Sequence, residues 1–185
     1  MLQTENPGLI IVDMQYAIDS YSNDTRNNLN AENIAANVLQ HWRHCRWPVI
    51  HVRHSSKNSD SPYHVSSEKF AIKQQVAPQP QEKVITKSEN CAFIGTDLGT
   101  YLVKNNIKEL VVCGVLTNNS VDATVRVGAA LGYKIYLLHD ATAAFGMTLL
   151  DGTHRTGDEI HWIFLSNLHR EYATVCQSSD VIINV

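Results

Sequence analysis

Three residues of this 185-residue chain have the types and settings that chemistry requires. Asp13 ends the apolar run Leu9-Ile10-Ile11-Val12 and is followed by Met14-Gln15. A carboxylate at the end of an apolar strand is partly desolvated, which raises its pKa and suits a general base. The same residue type also caps turns at strand ends, so both readings stand. Lys87 closes the run Val84-Ile85-Thr86. It is either an exposed strand-end lysine or the cationic partner of Asp13, where it would keep the carboxylate charged and stabilise a nucleophile's anion. Ser120 falls at the start of an expected helix, where backbone N–H groups and the helix dipole favour negative charge. That address serves a nucleophile beside an oxyanion hole, and equally a serine that only caps the helix.

Other chemistries find less support. The nine histidines include His51, His54 and His64. His51 and Arg53 share one strand face while His54 lies on the other or in the loop. No HExxH and no carboxylate at matching spacing accompanies them, so they read as loop and surface residues and no metal is expected. The four cysteines (Cys45, Cys91, Cys113, Cys176) show no CxxC spacing. Gly114-Val115-Leu116-Thr117 is not a GxGxxG loop, which argues against a dinucleotide, and no cofactor is expected.

The elements that must position these residues alternate. Strands are expected at 9–12, 49–52, 84–86, 110–113, 135–138 and 173–175, with helices over about 29–44, 96–102, 120–131 and 154–168. Residues 54–82 carry Ser, Pro, Gln and Asn without apolar periodicity. They read as a long loop with a short helix near Phe70, used as a lid or an interface. Such alternation implies a mostly parallel sheet with helices on both faces, whose sites lie at the carboxyl ends of strands. Asp13, Lys87 and the 114–120 segment each follow a strand and should converge there.

Composition sets the outer bounds. Apolar residues make up 44% and charged residues 18%, with a net charge of -3. A single globular domain over 1–185 fits that length and composition. No basic stripe suggests nucleic acid, no apolar run could span a bilayer, and the N-terminus lacks a signal-peptide pattern. A cytoplasmic protein with reduced thiols is expected.

The three strand-end segments together resemble the isochorismatase-like superfamily, also called cysteine hydrolases. Its pattern is Asp-x-Gln after the first strand, a Lys after a middle strand, and Gly-Val/Ile-x-Thr-x-x-Cys-Val-x-x-Thr before a helix. The matches are Asp13-Met14-Gln15, Lys87 within Ile85 to Phe93, and Gly114 to Thr124. The stretches Leu131-Gly132-Tyr133, His139 to Ala143 and Leu168 to Val175 agree as well, so the resemblance covers about residues 8–180.

The resemblance implies a three-layer α/β/α sandwich around a six-stranded, mostly parallel sheet, and a small-molecule substrate hydrolysed at a C–N bond of an amide or ureide. It implies Asp13 as base, Lys87 as its cationic partner, and an oxyanion hole from the backbone N–H groups of Leu116 and Ser120, with a cis peptide between Val115 and Leu116. Gln15, Phe93 and Asn119 would line the pocket, and a dimer or tetramer would be common. One departure stands out: Ser120 occupies the place of the family's nucleophilic cysteine. A serine is a far weaker acid than a thiol and would need the Asp13-Lys87 pair to take its proton. Three readings follow: serine chemistry, whether the exchange is natural or engineered; a vinyl-ether hydrolase in which Asp13 protonates the substrate, with Arg53 and Lys87 as the basic groups; or a binding protein that has lost its nucleophile. Cys113 lies inside a strand and is expected to be a buried apolar residue.

Overall fold

The computed structural model describes residues 2–21 and 24–182. Its strands are β1 (Gly8–Val12), β2 (Val49–His54), β3 (Lys83–Lys87), β4 (Glu109–Val115), β5 (Lys134–Ala143), the two-residue β6 (Met147–Thr148) and β7 (His154–Arg155), and β8 (Thr174–Cys176). The helices are α1 (Ala31–Cys45), α2 (Leu98–Lys104), α3 (Asp122–Ala130) and α4 (Gly157–Leu168). Six strands form one parallel sheet in the order β3-β2-β1-β4-β5-β8, while β6 and β7 make a separate hairpin. The order reverses between β1 and β4. In such a sheet that crevice receives ligands, because connections leave it in opposite directions.

Alternate residues of β1 feed two cores, as the strand's period of two requires. Leu9 and Ile11 pack with Val38, Leu39 and Trp42 of α1 on one face. Ile10 and Val12 pack on the other with Leu98 and Leu102 of α2, Val125 of α3, and Leu165 and Leu168 of α4. Three layers result, and each fully buried Leu or Ile stabilises the fold by roughly 1.5–3 kcal/mol.

Several boundaries differ from the sequence expectation for local reasons. Leu29 is exposed and precedes α1, which begins after Asn30 and ends with Arg46 in the left-handed region. The last helix starts at Gly157 because Thr156 forms a reciprocal cap with Glu159: the Thr156 hydroxyl accepts from the Glu159 amide, and Glu159 accepts from the Thr156 amide. The segment expected to begin a helix at Ser120 is first one π-helical turn, Thr117–Val121. The 54–82 loop holds two 3-10 turns, Glu68–Phe70 and Gln74–Val76.

Candidate active site

Asp13 leaves β1 in the left-handed region (φ 51°), a conformation aspartate tolerates better than most residues. Its amide donates to the Val52 carbonyl and its carbonyl accepts from the Gln15 amide, both at 2.8 Å. Next to it Gly114 runs at φ 133°, and a Cβ there would stand 2.1 Å from the Val12 carbonyl oxygen. Only glycine lets β4 pass β1 so closely. Beyond it the Val115–Leu116 peptide is cis, as expected. The Leu116 carbonyl then accepts from the amides of Asn119 (3.0 Å) and Val121 (3.2 Å), which winds the π turn that presents Ser120.

The strand-end rule brings Asp13, Lys87 and Ser120 together. The Lys87 ammonium, with its side chain fully buried, donates to Asp13 Oδ2 at 2.7 Å and to Ser120 Oγ at 3.0 Å. Asp13 Oδ1 is buried and has no hydrogen-bond partner. Burial pushes the Asp13 pKa up, and the charge and hydrogen bond of Lys87, with smaller help from Ser120 and His54, pull against it without reversing the direction. All three polar groups meet beside a cavity of about 460 Å3, whose wall includes Asp13, Leu116, Asn119 and Ser120.

Other expected residues lie elsewhere. Gln15 is wholly buried and grips backbone: its amide donates to the carbonyls of His54 (3.1 Å) and Phe70 (2.8 Å), and its carbonyl accepts from the His54 amide (2.7 Å). It ties the long loop to β1 and does not line the cavity. Phe93 stacks on Tyr133 at 5.8 Å and packs against Gly128 of α3, behind the site. Arg53 turns from the cavity, donating to Thr86 Oγ1 with its guanidinium over the Phe70 ring. Cys113 is buried within β4, and burial pushes its thiol up.

The histidines are not all loop and surface residues. His51 is buried against Glu82 at 2.8 Å. His161 is buried against the Thr117 hydroxyl at 2.8 Å, where burial lowers its pKa to about 4. His54 lines the cavity with Nδ1 3.5 Å from Lys87 Nζ, and burial and that ammonium hold its pKa down. The strand-end rule, applied to β2, points to His54 as it does to Asp13. Tyr21, Asp24 and Tyr63 also reach the cavity. They come from loops without periodicity, so no pattern announces them. Among the described residues, no helix is long and apolar enough to cross a membrane.

Comparison with known proteins places nearly the whole chain among relatives. The isochorismatase domain model matches residues 7–159. Over 178 residues the chain is 42% identical to the isochorismatase family protein YrdC of Bacillus subtilis strain 168, covering 96% of this chain and 95% of that one. It matches a crystal structure of an isochorismatase-family protein from Chromobacterium violaceum with a TM-score of 0.95, at 42% identity, covering 98% and 94% of the two chains. A stretch of 90 residues, 49% of this chain and 35% of the other, is 34% identical to the ureidoacrylate amidohydrolase RutB of Azorhizobium caulinodans. With the matched domain spanning both β1 and the π turn, and the whole fold shared, the chain belongs to the isochorismatase family of hydrolases.

Proposed function

We propose that the chain hydrolyses a C–N bond in a small amide or ureide, with Asp13 as base, Lys87 as its electrostatic partner and Ser120 as nucleophile. One observation carries this reading: a single buried ammonium donates to both Asp13 Oδ2 and Ser120 Oγ, while Asp13 Oδ1 keeps an unused lone pair. Ser120 Oγ attacks the carbonyl carbon as its proton passes to Asp13. Lys87 stabilises the alkoxide character that develops on Oγ. The carbonyl oxygen becomes an oxyanion held by the amides of Leu116 and Ser120. Asp13 then returns the proton to the leaving nitrogen as the C–N bond breaks. A water, deprotonated by Asp13, releases the acyl group and restores the serine. The raised Asp13 pKa fits a group that both takes and gives a proton.

The amidohydrolase among the relatives supports the C–N assignment. Against the vinyl-ether reading, the substrate that the resemblance implies for it carries two carboxylates and wants cations around it. Among the described residues no Lys or Arg lines the cavity, and Asp24 adds a second carboxylate to the wall.

Ammonia release across a panel of small amides and ureides tests the proposal, with Ser120→Ala, Ser120→Cys and Asp13→Asn beside the unaltered protein. Turnover should vanish in Ser120→Ala, fall by about 10²–10⁴-fold in Asp13→Asn and rise in Ser120→Cys, whose thiol ionises more readily. Turnover that survives Ser120→Ala would sink the covalent mechanism. Binding without turnover in every form except Ser120→Cys would mean a silenced hydrolase.

A further inference from the structure

The two carboxylates of the cavity are in different electrical states. The charge of Asp13 is met by Lys87 at 2.7 Å. Asp24 has the Thr25 amide on Oδ1 at 2.7 Å, and its other neighbour is His154 at 3.4 Å, a half-exposed imidazole that is charged only when protonated. No lysine or arginine is within salt-bridge distance of Asp24 among the described residues. The Asp24 side chain is itself only 25% exposed.

Its position is built. The carboxylate lies against Gly146, which also lines the cavity, and a Cβ at 146 would come within 2.6 Å of Oδ1 and 2.7 Å of Oδ2. Any side chain there would push the carboxylate off the wall. Tyr21 and Tyr63 line the same cavity with ring centroids 6.1 Å apart, and aromatic rings favour a cation over an anion. A wall with two tyrosines, a carboxylate that meets only an imidazole, and no lysine or arginine among the described residues attracts positive charge and repels negative charge.

We infer that the substrate carries a cationic nitrogen, an ammonium or amidinium group, besides the bond that is cleaved, and that Asp24, seated on Gly146, is the residue that selects it. The inference rests on the hydrolase reading for its kinetic arm only. Selection acts through binding, so it survives if chemistry at Ser120 fails.

Three linear amides of matched length separate the possibilities: 4-aminobutanamide (cationic tail), pentanamide (neutral) and glutaric acid monoamide (anionic). Ammonia release is measured with the unaltered protein and Asp24→Asn, and binding by calorimetry with Ser120→Ala and the Ser120→Ala/Asp24→Asn double variant. The cationic amide should be favoured over the neutral one by about tenfold in kcat/KM, mostly through KM, and the anionic amide should be poorest. Asp24→Asn, nearly isosteric, should erase the order, bringing the three amides to within a few-fold of one another. The same order in binding without turnover would uphold the selection and overturn the hydrolase reading for these amides. Turnover that ignores tail charge, or a preference that persists in Asp24→Asn, would overturn the selection and leave the hydrolase reading standing. Absence of both binding and turnover with the cationic amide would also overturn it.

Discussion

Two buried carboxylates in this molecule, Asp13 and Glu32, are each held by cations, and they end in opposite states. Glu32 sits at the start of α1 with both oxygens engaged. Arg26 grips them as a fork (2.8 and 2.5 Å), and Lys73 donates to Oε1 at 2.8 Å while also reaching Asp19 at 2.6 Å. Although burial raises its pKa, the Arg26 and Lys73 hydrogen bonds and charges win and lower it to about 2. Asp13 has one cation and one orphaned oxygen, and burial wins. The lesson is one of satisfaction. A carboxylate with both oxygens engaged is a lock between the 54–82 loop and α1, whereas one left with a free oxygen in a cavity retains the capacity to move a proton.

Substitutions can break that contrast, beginning with the largest effect. Asp13→Asn should lower turnover by about 10²–10⁴-fold, the usual contribution of a positioned base, with the far-ultraviolet dichroism unchanged. A loss of less than tenfold in steady-state kinetics would place the proton transfer elsewhere. Glu32→Gln removes the negative charge and one acceptor oxygen from between two buried cations and should cost about 3 kcal/mol of folding stability in urea titrations. It should leave kcat within a few-fold of the unaltered enzyme, since nothing in that cluster touches the cavity.

Titration sharpens the comparison because the two signs differ. The folded pKa of Glu32 lies below its unfolded value of 4.5, so its stabilisation is complete above that value and is lost as pH falls toward about 2. Glu32→Gln should therefore be penalised most at neutral pH, and the gap to the unaltered protein should close in acid. Asp13 is raised above 3.8, so its ionisation weighs against the fold as pH climbs from that value. The stability of Asp13→Asn relative to the unaltered protein should accordingly rise with pH from 3.8 upward. Parallel pH profiles for the two variants would dissolve the distinction. At the small end, the exposed Lys57–Glu89 pair (3.6 Å, side chains 82% and 55% exposed) is a control, and Lys57→Ala should change stability by less than about 0.5 kcal/mol.

Most of the frame could be read along the chain. The strand runs are short, apolar and separated by helical spacing, and that pattern survives packing best in the central β1 and β4, which are buried on both faces, and less in the edge strands β3 and β8, which are partly exposed. The site was readable to the extent that its groups follow strands: Asp13, Lys87 and Ser120 meet where the rule puts them. Gln15 and Phe93 show the limit. Both lie within a few residues of site groups, yet Gln15 satisfies three backbone groups of the long loop and Phe93 fills the space that Gly128 leaves on α3. Proximity along the chain does not say which way a side chain turns.

Residue order alone brought Asp13, Lys87 and the 114–120 turn to one edge of the sheet, because parallel strands joined by right-handed crossovers put all their carboxyl ends on the same side. Through the resemblance it also raised the expectation that Ser120 stands where the family carries a cysteine. Only the folded chain decided that one ammonium bridges two of these groups, that Asp13 keeps a free oxygen, and that His54, Tyr63 and Asp24 close the cavity around them. Those outcomes depend on loops that lack periodicity, whose paths are set by contacts far away in sequence, such as the grip of Gln15 on Phe70 and the seat that Gly146 leaves for Asp24.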